Sequence, residues 1–438
     1  MLAVEPELHL PASAPSRLRT DVFVTFGGKA ATLLLGLAAA VVVARHLGPS
    51  GQGLFAVAYS LSLVLASVGG LGVTSANPYF AARDPASLPR IVGNSLWLAG
   101  ALGLVLVAVG AGLKLVAPSV IAGLGWAPLV ATLAGLPGAL AALFLQSILL
   151  GEGRMTAYNA VEVAQGALTL AAFVVAFAAF DAHITAALAV ISAGRYAAVL
   201  GYLALLARHA PSLRPDTRLV RSMLSYGFRV YVALVVSLLV IRLDLLLVNR
   251  YLGKAEAGYY SVAATLADGM FVLPMVVGLN LFPRVARGDP TEASASVFRS
   301  VAVLYGLVCL VTVPLAGPGI RLVFGDAFSG SVSLYYWLLP GIYCLGMLTI
   351  LSQHFAGRGF PVPAMAIWFV GLAVNLAINF AFLPGRGAWV AALASSIAYA
   401  LLLVLHMWLF AREAGSYAAM RPRLRETFRF VRVALSRG

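Results

Sequence analysis

The chain has 438 residues, of which 61% are hydrophobic and only 11% charged, with a formal net charge of +14 and a mean hydropathy of +0.94. A soluble domain carries about 25% charged residues, so this chain lacks the polar residues to cover itself in water. In a soluble protein the positive balance would point to nucleic acid; in a chain this apolar it reads as a bias of basic residues toward one side of a membrane.

A polar tail over 1–21, with Arg17 and Arg19 at its end, leads into the first apolar run. That run is too long for a cleaved signal peptide and belongs to the repeat described below. Twelve apolar spans follow, at 22–46, 54–80, 92–117, 126–150, 155–180, 184–207, 223–250, 256–283, 295–317, 331–355, 362–383 and 388–411. Each is long enough for a membrane helix, and none has the period-two alternation of a transmembrane barrel. The expected fold is therefore an all-α integral membrane protein. Its parts are a first lobe over 22–207, a loop over 208–222, a second lobe over 223–411 and a basic tail over 412–438. In that tail Leu424, Phe428, Val431 and Leu435 recur at helical spacing among arginines, the pattern of an amphipathic helix on an anionic leaflet.

With the N-terminus in the cytoplasm, twenty basic residues fall on the cytoplasmic side and six on the other: Arg45, Lys114, Arg250, Lys254, Arg321 and Arg386. The asymmetry predicts a multi-pass protein of the cytoplasmic membrane with both termini inside. Cys309 and Cys344 lie in apolar runs far apart in sequence, and the six histidines lack metal-ligand spacing, so neither a disulfide framework nor a metal centre is expected.

The two halves repeat. At a shift of 205, Arg45, Leu47, Gly48, Gly53, Val57, Ala58 and Leu61 fall on Arg250, Leu252, Gly253, Gly258, Val262, Ala263 and Leu266, and Pro78 falls on Pro283. Leu136-Pro137-Gly138 is echoed by Leu339-Pro340-Gly341, and Gly153-Arg154 by Gly357-Arg358. Six spans is an even number, so both halves enter from one side and the repeat is parallel. Substrate is expected at its interface.

The Arg-x-Leu-Gly-x4-Gly signature at Arg45–Gly53, with its second copy at Arg250–Gly258, resembles the entry motif of the multidrug/oligosaccharidyl-lipid/polysaccharide exporter superfamily. The branch it is most similar to is the polysaccharide-transport, or Wzx-type, flippases. The resemblance implies a V-shaped transporter working by alternating access, with a polyprenyl-diphosphate-linked oligosaccharide turned between leaflets for surface polysaccharide synthesis. Glycosyltransferases and a polymerase of the same pathway are its implied partners. The multidrug cation exporters and the lipid II flippases are the other branches. A glycan polymerase or ligase would carry a large catalytic loop, and an ATP-driven pump a Gly-x4-Gly-Lys-Ser/Thr stretch; neither is present.

Charge within hydrocarbon costs about 2.5–3.5 kcal/mol per residue even on the lenient insertion scale, so each buried charge needs a reason. Lys29, Arg195, Arg229 and Arg242 are the candidate cationic lining for a diphosphate. Asp244, Asp268 and Glu162 are candidates for coupling a proton or sodium ion, or for buried pairs such as Lys29 with Asp268 or Arg195 with Glu162. Arg229 and Glu162 are near enough to a span end to snorkel. Arg242 and Asp244 are two residues apart and point about 200° apart on a helix, so they serve different neighbours. Tyr231, Leu238, Arg242 and Asn249 share the face taken to line the cleft. Arg45 and Arg250 are expected to hold turns or lipid headgroups. Gly27-Gly28 and Gly69-Gly70 with Gly72 would permit bending or close helix packing.

Overall fold

A computed structural model describes residues 15–180, 183–209, 212 and 214–421; the N-terminal tail before Pro15 and the amphipathic pattern after Arg421 lie outside them. Fourteen α-helices and short 3₁₀ turns make up the described residues, with no strand among them. The first lobe contains α1 (Pro15–Gly69), α2 (Val73–Arg83), α3 (Leu88–Val116), α4 (Trp126–Ala134), α5 (Leu136–Gly151), α6 (Met155–Phe180) and α7 (Ile184–Leu206). The second contains α8 (Thr217–Leu252), α9 (Lys254–Met270), α10 (Val272–Ala286), α11 (Thr291–Phe324), α12 (Ser331–Gly357), α13 (Val362–Arg386) and α14 (Trp389–Ala414).

Eleven stretches are long and apolar enough to cross a membrane among the described residues, and the first, Gly27–Gly69, joins most of the first two of the twelve expected spans. The joint is Gly48, whose φ of 65° and ψ of 179° break the helix immediately before Pro49. Gly253 takes nearly the same conformation, φ 89° and ψ 176°, between α8 and α9. Only glycine adopts this region without strain, which explains why both copies of the motif place one there. Three further expected spans are broken within the lobes. The second breaks where Leu71 and Gly72 have φ of 44° and 78°, the fourth at Gly135, and the eighth at Phe271.

The repeat is also visible in packing. In the first lobe Gly138 sits against Tyr196, whose OH donates to Ala134 O at 2.7 Å. In the second, Gly341 sits against Ser396, whose Oγ donates to Trp337 O at 2.6 Å. Within each lobe the interior is apolar and dense, and buried polar groups are tied to backbone, as where Asn77 Nδ2 donates to Phe144 O at 2.9 Å. The outward faces of α3, α7 and α11 expose leucines and valines, including Leu104, Val105, Leu200, Leu307 and Leu310, as a lipid-facing surface requires.

The lobes meet along α1 and α2 of one half and α8 and α9 of the other. The arginine-rich ends of the lobes, marked by Arg83, Arg154, Arg208, Arg221, Arg284 and Arg358, are called here the basic end; Gly48 and Gly253 mark the opposite end.

Candidate functional site

Between the lobes is a cavity of about 950 Å³, walled by α1, α6 and α7 on one side and by α8, α9 and α11 on the other. Glu162, Arg195, Arg242 and Asp268 reach its wall, together with Gln52, Tyr59, Gln165, Thr169 and Thr265. The wall thus combines a few charges with neutral hydrogen-bonding groups on an apolar frame.

The expected cations do not form a single cationic lining. Lys29 Nζ on α1 is 2.6 Å from Glu162 on α6 and donates to Tyr158 OH at 2.7 Å. Gln146 Nε2 donates to the other Glu162 oxygen at 2.9 Å, so this carboxylate is held from three sides. Arg242 Nη2 on α8 is 2.9 Å from Asp268 on α9. Ion pairs therefore exist, but between other partners than Lys29–Asp268 and Arg195–Glu162. The physical reason is position along α1: the turn holding Lys29 packs on α6, where Gly28 meets Asn159, whereas α1 meets α9 closely further on, at Gly53, so each charge is satisfied inside its own lobe. Glu162 and Asp268 are thus the ion-pair partners of Lys29 and Arg242. Arg229 lies on α8, with its side chain outside the described residues.

Arg195 stands apart. It lies on α7, is 8% exposed, and its Nη1 donates to Ser62 Oγ at 2.7 Å. No carboxylate of the described residues pairs with it, whereas Arg242 on the same wall and Lys29 beside Glu162 are both neutralised. A guanidinium has five N–H donors, and most of those on Arg195 remain for a partner. The four charges on the cavity wall, Glu162, Asp268, Arg195 and Arg242, balance, and Arg195 is the one among them without a charged partner among the described residues.

Asp244 faces away from Arg242, as their spacing on α8 requires. It is fully buried inside the second lobe. Tyr260 OH donates to Oδ2 at 3.2 Å, Asn379 Nδ2 donates to Oδ1 at 3.0 Å, and Ser395 Oγ also donates to Oδ2. Asn375 is one helical turn from Asn379 and accepts its Nδ2 at 3.2 Å. Four helices (α8, α9, α13 and α14) converge on this one carboxylate without a cation side chain among its described partners.

Both ends of the cleft are bridged. At the opposite end a Cβ on Gly53 would lie 1.8 Å from Lys254 O, and one on Gly258 1.9 Å from Pro49 O, so these motif glycines let the two lobes' backbones touch. Arg45 Nε donates to Val323 O at 2.8 Å and its Nη2 to Leu322 O, placing its charge on the C-terminal carbonyls of α11 across the lobe boundary. Asn249 Nδ2 on α8 reaches Ala122 O of the first lobe at 3.0 Å. Arg250 makes no such bridge; its guanidinium lies 5.4 Å from the Tyr251 ring. At the basic end Gly72 packs on Gly227, Tyr231 OH donates to Val68 O, and Tyr79 stacks on Tyr226 with ring centroids 4.2 Å apart. Gly28 and Gly69 serve packing, against Asn159 and Leu106.

Two parts of the site were not picked out from sequence. Tyr158 and Gln146, which hold Glu162, are ordinary polar residues at helix positions with no distinguishing pattern. Asn375-x3-Asn379 and Ser395 around Asp244 did leave a signal, since two asparagines one turn apart in an apolar span need partners.

A family model described as "Polysaccharide biosynthesis protein" matches residues 18–289. A Shigella flexneri protein named provisionally as an O-antigen transporter is 23% identical over 198 residues; the match spans 44% of this chain and just under half, 47%, of that relative. Among solved structures, the lipid II flippase MurJ in an inward closed conformation superposes with a TM-score of 0.75 at 14% identity, covering 94% of this chain and 89% of that one. An inward-facing multidrug MATE transporter of the MOP superfamily gives 0.68 at 15% identity, covering 88% and 95%. These likenesses establish the expected fold of a multi-pass membrane transporter built on two helical lobes. The family match covers more than half of the chain, from the first helix through the start of the second lobe, and on it this protein belongs to the polysaccharide biosynthesis protein family, with the fold of the MOP exporters.

Proposed function

We propose that the protein flips a polyprenyl-diphosphate-linked oligosaccharide across the cytoplasmic membrane, with its basic end and both termini in the cytoplasm. The observation that carries this reading is Arg195: a buried guanidinium at an inter-lobe cavity whose other described charges are paired. A diphosphate offers the bidentate acceptors such a group is built for. The neutral hydroxyl and amide groups on the same wall suit a sugar. An organic cation, the substrate of a multidrug exporter, would meet the Arg195 guanidinium there and find no carboxylate free of an ion pair among the described wall residues.

In this reading the ion pairs Lys29–Glu162 and Arg242–Asp268 fix helix register beside the cavity. Asp244 takes the coupling role, through a proton or a sodium ion. Its carboxylate and the Tyr260 and Ser395 hydroxyls offer oxygens of the kind a hard monovalent cation takes, and a proton would relieve the same burial. An uncompensated carboxylate buried this deeply costs several kcal/mol, so loading it with a cation would change how α8 packs on α13 and α14.

Binding of a soluble polyprenyl-diphosphate analogue to the purified protein tests the substrate reading. Loss of one charge-assisted interaction of about 1.5–3 kcal/mol predicts that Arg195→Gln weakens binding about tenfold or more. Undiminished binding by that variant, with loss in Arg242→Gln instead, would move the anion site to the other lobe.

A further inference from the structure

At the basic end, outside the central cavity, a second cleft of about 520 Å³ opens on the seam between α2 and α8. It is lined by Tyr79, Phe80 and Arg83 of the first lobe and by Arg221, Ser222, Ser225 and Tyr226 of the second. We propose that this cleft binds the phosphate of an anionic lipid headgroup, which staples the two lobes together at the basic end.

The charges give the first argument. Arg83 and Arg221 come from opposite lobes, are exposed, and have no carboxylate partner among the described residues. Arg83 Nη1 donates to Tyr79 OH at 2.7 Å, and Asp84, its neighbour in sequence, turns instead toward Arg90 at 4.0 Å. Two like charges facing one cleft oppose closure of the seam they flank. A single anion accepting from both guanidiniums would convert that repulsion into a bridge. The Ser225 hydroxyl supplies a further donor on the second-lobe side, while the Ser222 hydroxyl donates to Arg218 O at 3.1 Å.

Depth identifies the ligand as a headgroup. α8 runs for 36 residues, about 54 Å, well beyond the roughly 30 Å of hydrocarbon it must cross. Its apolar span begins near residue 223, so Arg221 stands about 3 Å before it, within the headgroup layer that extends roughly 5–7 Å beyond the hydrocarbon. Tyr79 and Tyr226, stacked at an interplanar angle of 17°, belong to the aromatic class that settles at the same level.

Position gives the consequence. The cleft lies over the contacts that hold the basic end shut, Gly72 on Gly227 and Tyr79 on Tyr226. A ligand touching both lobes binds the closed seam more tightly than an open one, and by linkage raises the closed population. Anionic lipid content thereby becomes a regulator of the conformational cycle, whatever the transported substrate.

The test uses the full chain in bilayer discs of phosphatidylcholine with and without phosphatidylglycerol. Native mass spectrometry reads retained lipid, and spin labels at Ala86 and Ala286, with Cys309 and Cys344 replaced, read the distance between lobes at the basic end. The expected result is selective retention of phosphatidylglycerol and a shorter, narrower distance distribution in its presence. Arg83→Gln with Arg221→Gln should weaken that retention about tenfold and abolish the distance response. Arg287→Gln with Arg412→Gln, which removes equal charge from the same end away from the seam, should leave both intact. Equal retention of the two lipids, or equal losses in the two double variants, would overturn the site. Displacement of phosphatidylglycerol by inorganic phosphate would show a soluble-anion site and overturn the headgroup assignment.

Discussion

Arg195 and Asp244 are both buried charged residues, and their surroundings give them opposite roles. Arg195 borders the cleft with a single described hydroxyl partner, while Asp244 is enclosed by the second lobe with hydroxyl and amide partners only. Asp244→Asn removes the charge and keeps the shape, so transport should lose its dependence on the coupling ion while binding of the lipid-linked sugar persists. Transport assayed under an imposed proton or sodium gradient checks this; an unchanged ion dependence would assign coupling elsewhere. Asp216, at the basic end, has an ordinary structural role. It caps the first turn of α8 and lies 3.3 Å from Arg90 of α3. The Leu219 backbone N–H, and after it Arg90, hold its carboxyl below the usual range. A depressed acid stabilises the folded state above its unfolded value of 3.8 and loses that contribution as pH falls through the lower folded value. Hydrogen exchange in residues 217–222 should therefore quicken only under strongly acidic conditions, and at neutral pH in Asp216→Ala.

α8 was the stretch of sequence in which charge most clearly demanded explanation, and its helical geometry was legible from spacing alone. Arg242 and Asp244 do diverge to cavity and lobe interior, and Tyr231 and Asn249 do lie on the inter-lobe face. What spacing could not reveal is the rotation of one helix against another. Whether Arg242 meets Asp268 or faces substrate depends on the turn of α9, which no local pattern encodes. A double-mutant cycle on Arg242 and Asp268 should give a coupling energy of about 0.5–3 kcal/mol in thermal stability, whereas Lys29 with Asp268 should give none. The motif glycines were legible as a motif before their task was. Gly53→Ala and Gly258→Ala each push a methyl into the other lobe's backbone, at a cost of about 1–3 kcal/mol that falls on the closed opposite end. Reduced cross-linking between cysteines placed in the helices after Gly48 and Gly253 would report it.

At the scale of the molecule, composition was enough for an all-α membrane protein, and four landmarks in order were enough for two lobes, because both follow from periodicities written along the chain. The cavity's charge was not legible. It is a sum over pairs formed between distant segments, and Arg242 on the wall and Lys29 beside Glu162 prove to be neutralised within their own lobes. The resulting picture is a cleft of low net charge, bridged at the opposite end by Arg45 and paired glycines and at the basic end by aromatic and backbone contacts. Alternating access would then consist of breaking one set of bridges at a time while each lobe's internal ion pairs stay intact.

The most direct measurement is transport in proteoliposomes loaded with a fluorescent polyprenyl-diphosphate-linked oligosaccharide, with wild type and Arg195→Gln compared side by side. The account predicts movement of the lipid-linked sugar between leaflets by the wild type and a rate at least about tenfold lower for the variant at limiting substrate. Export of organic cations by the wild type, without movement of the lipid-linked sugar, would contradict it.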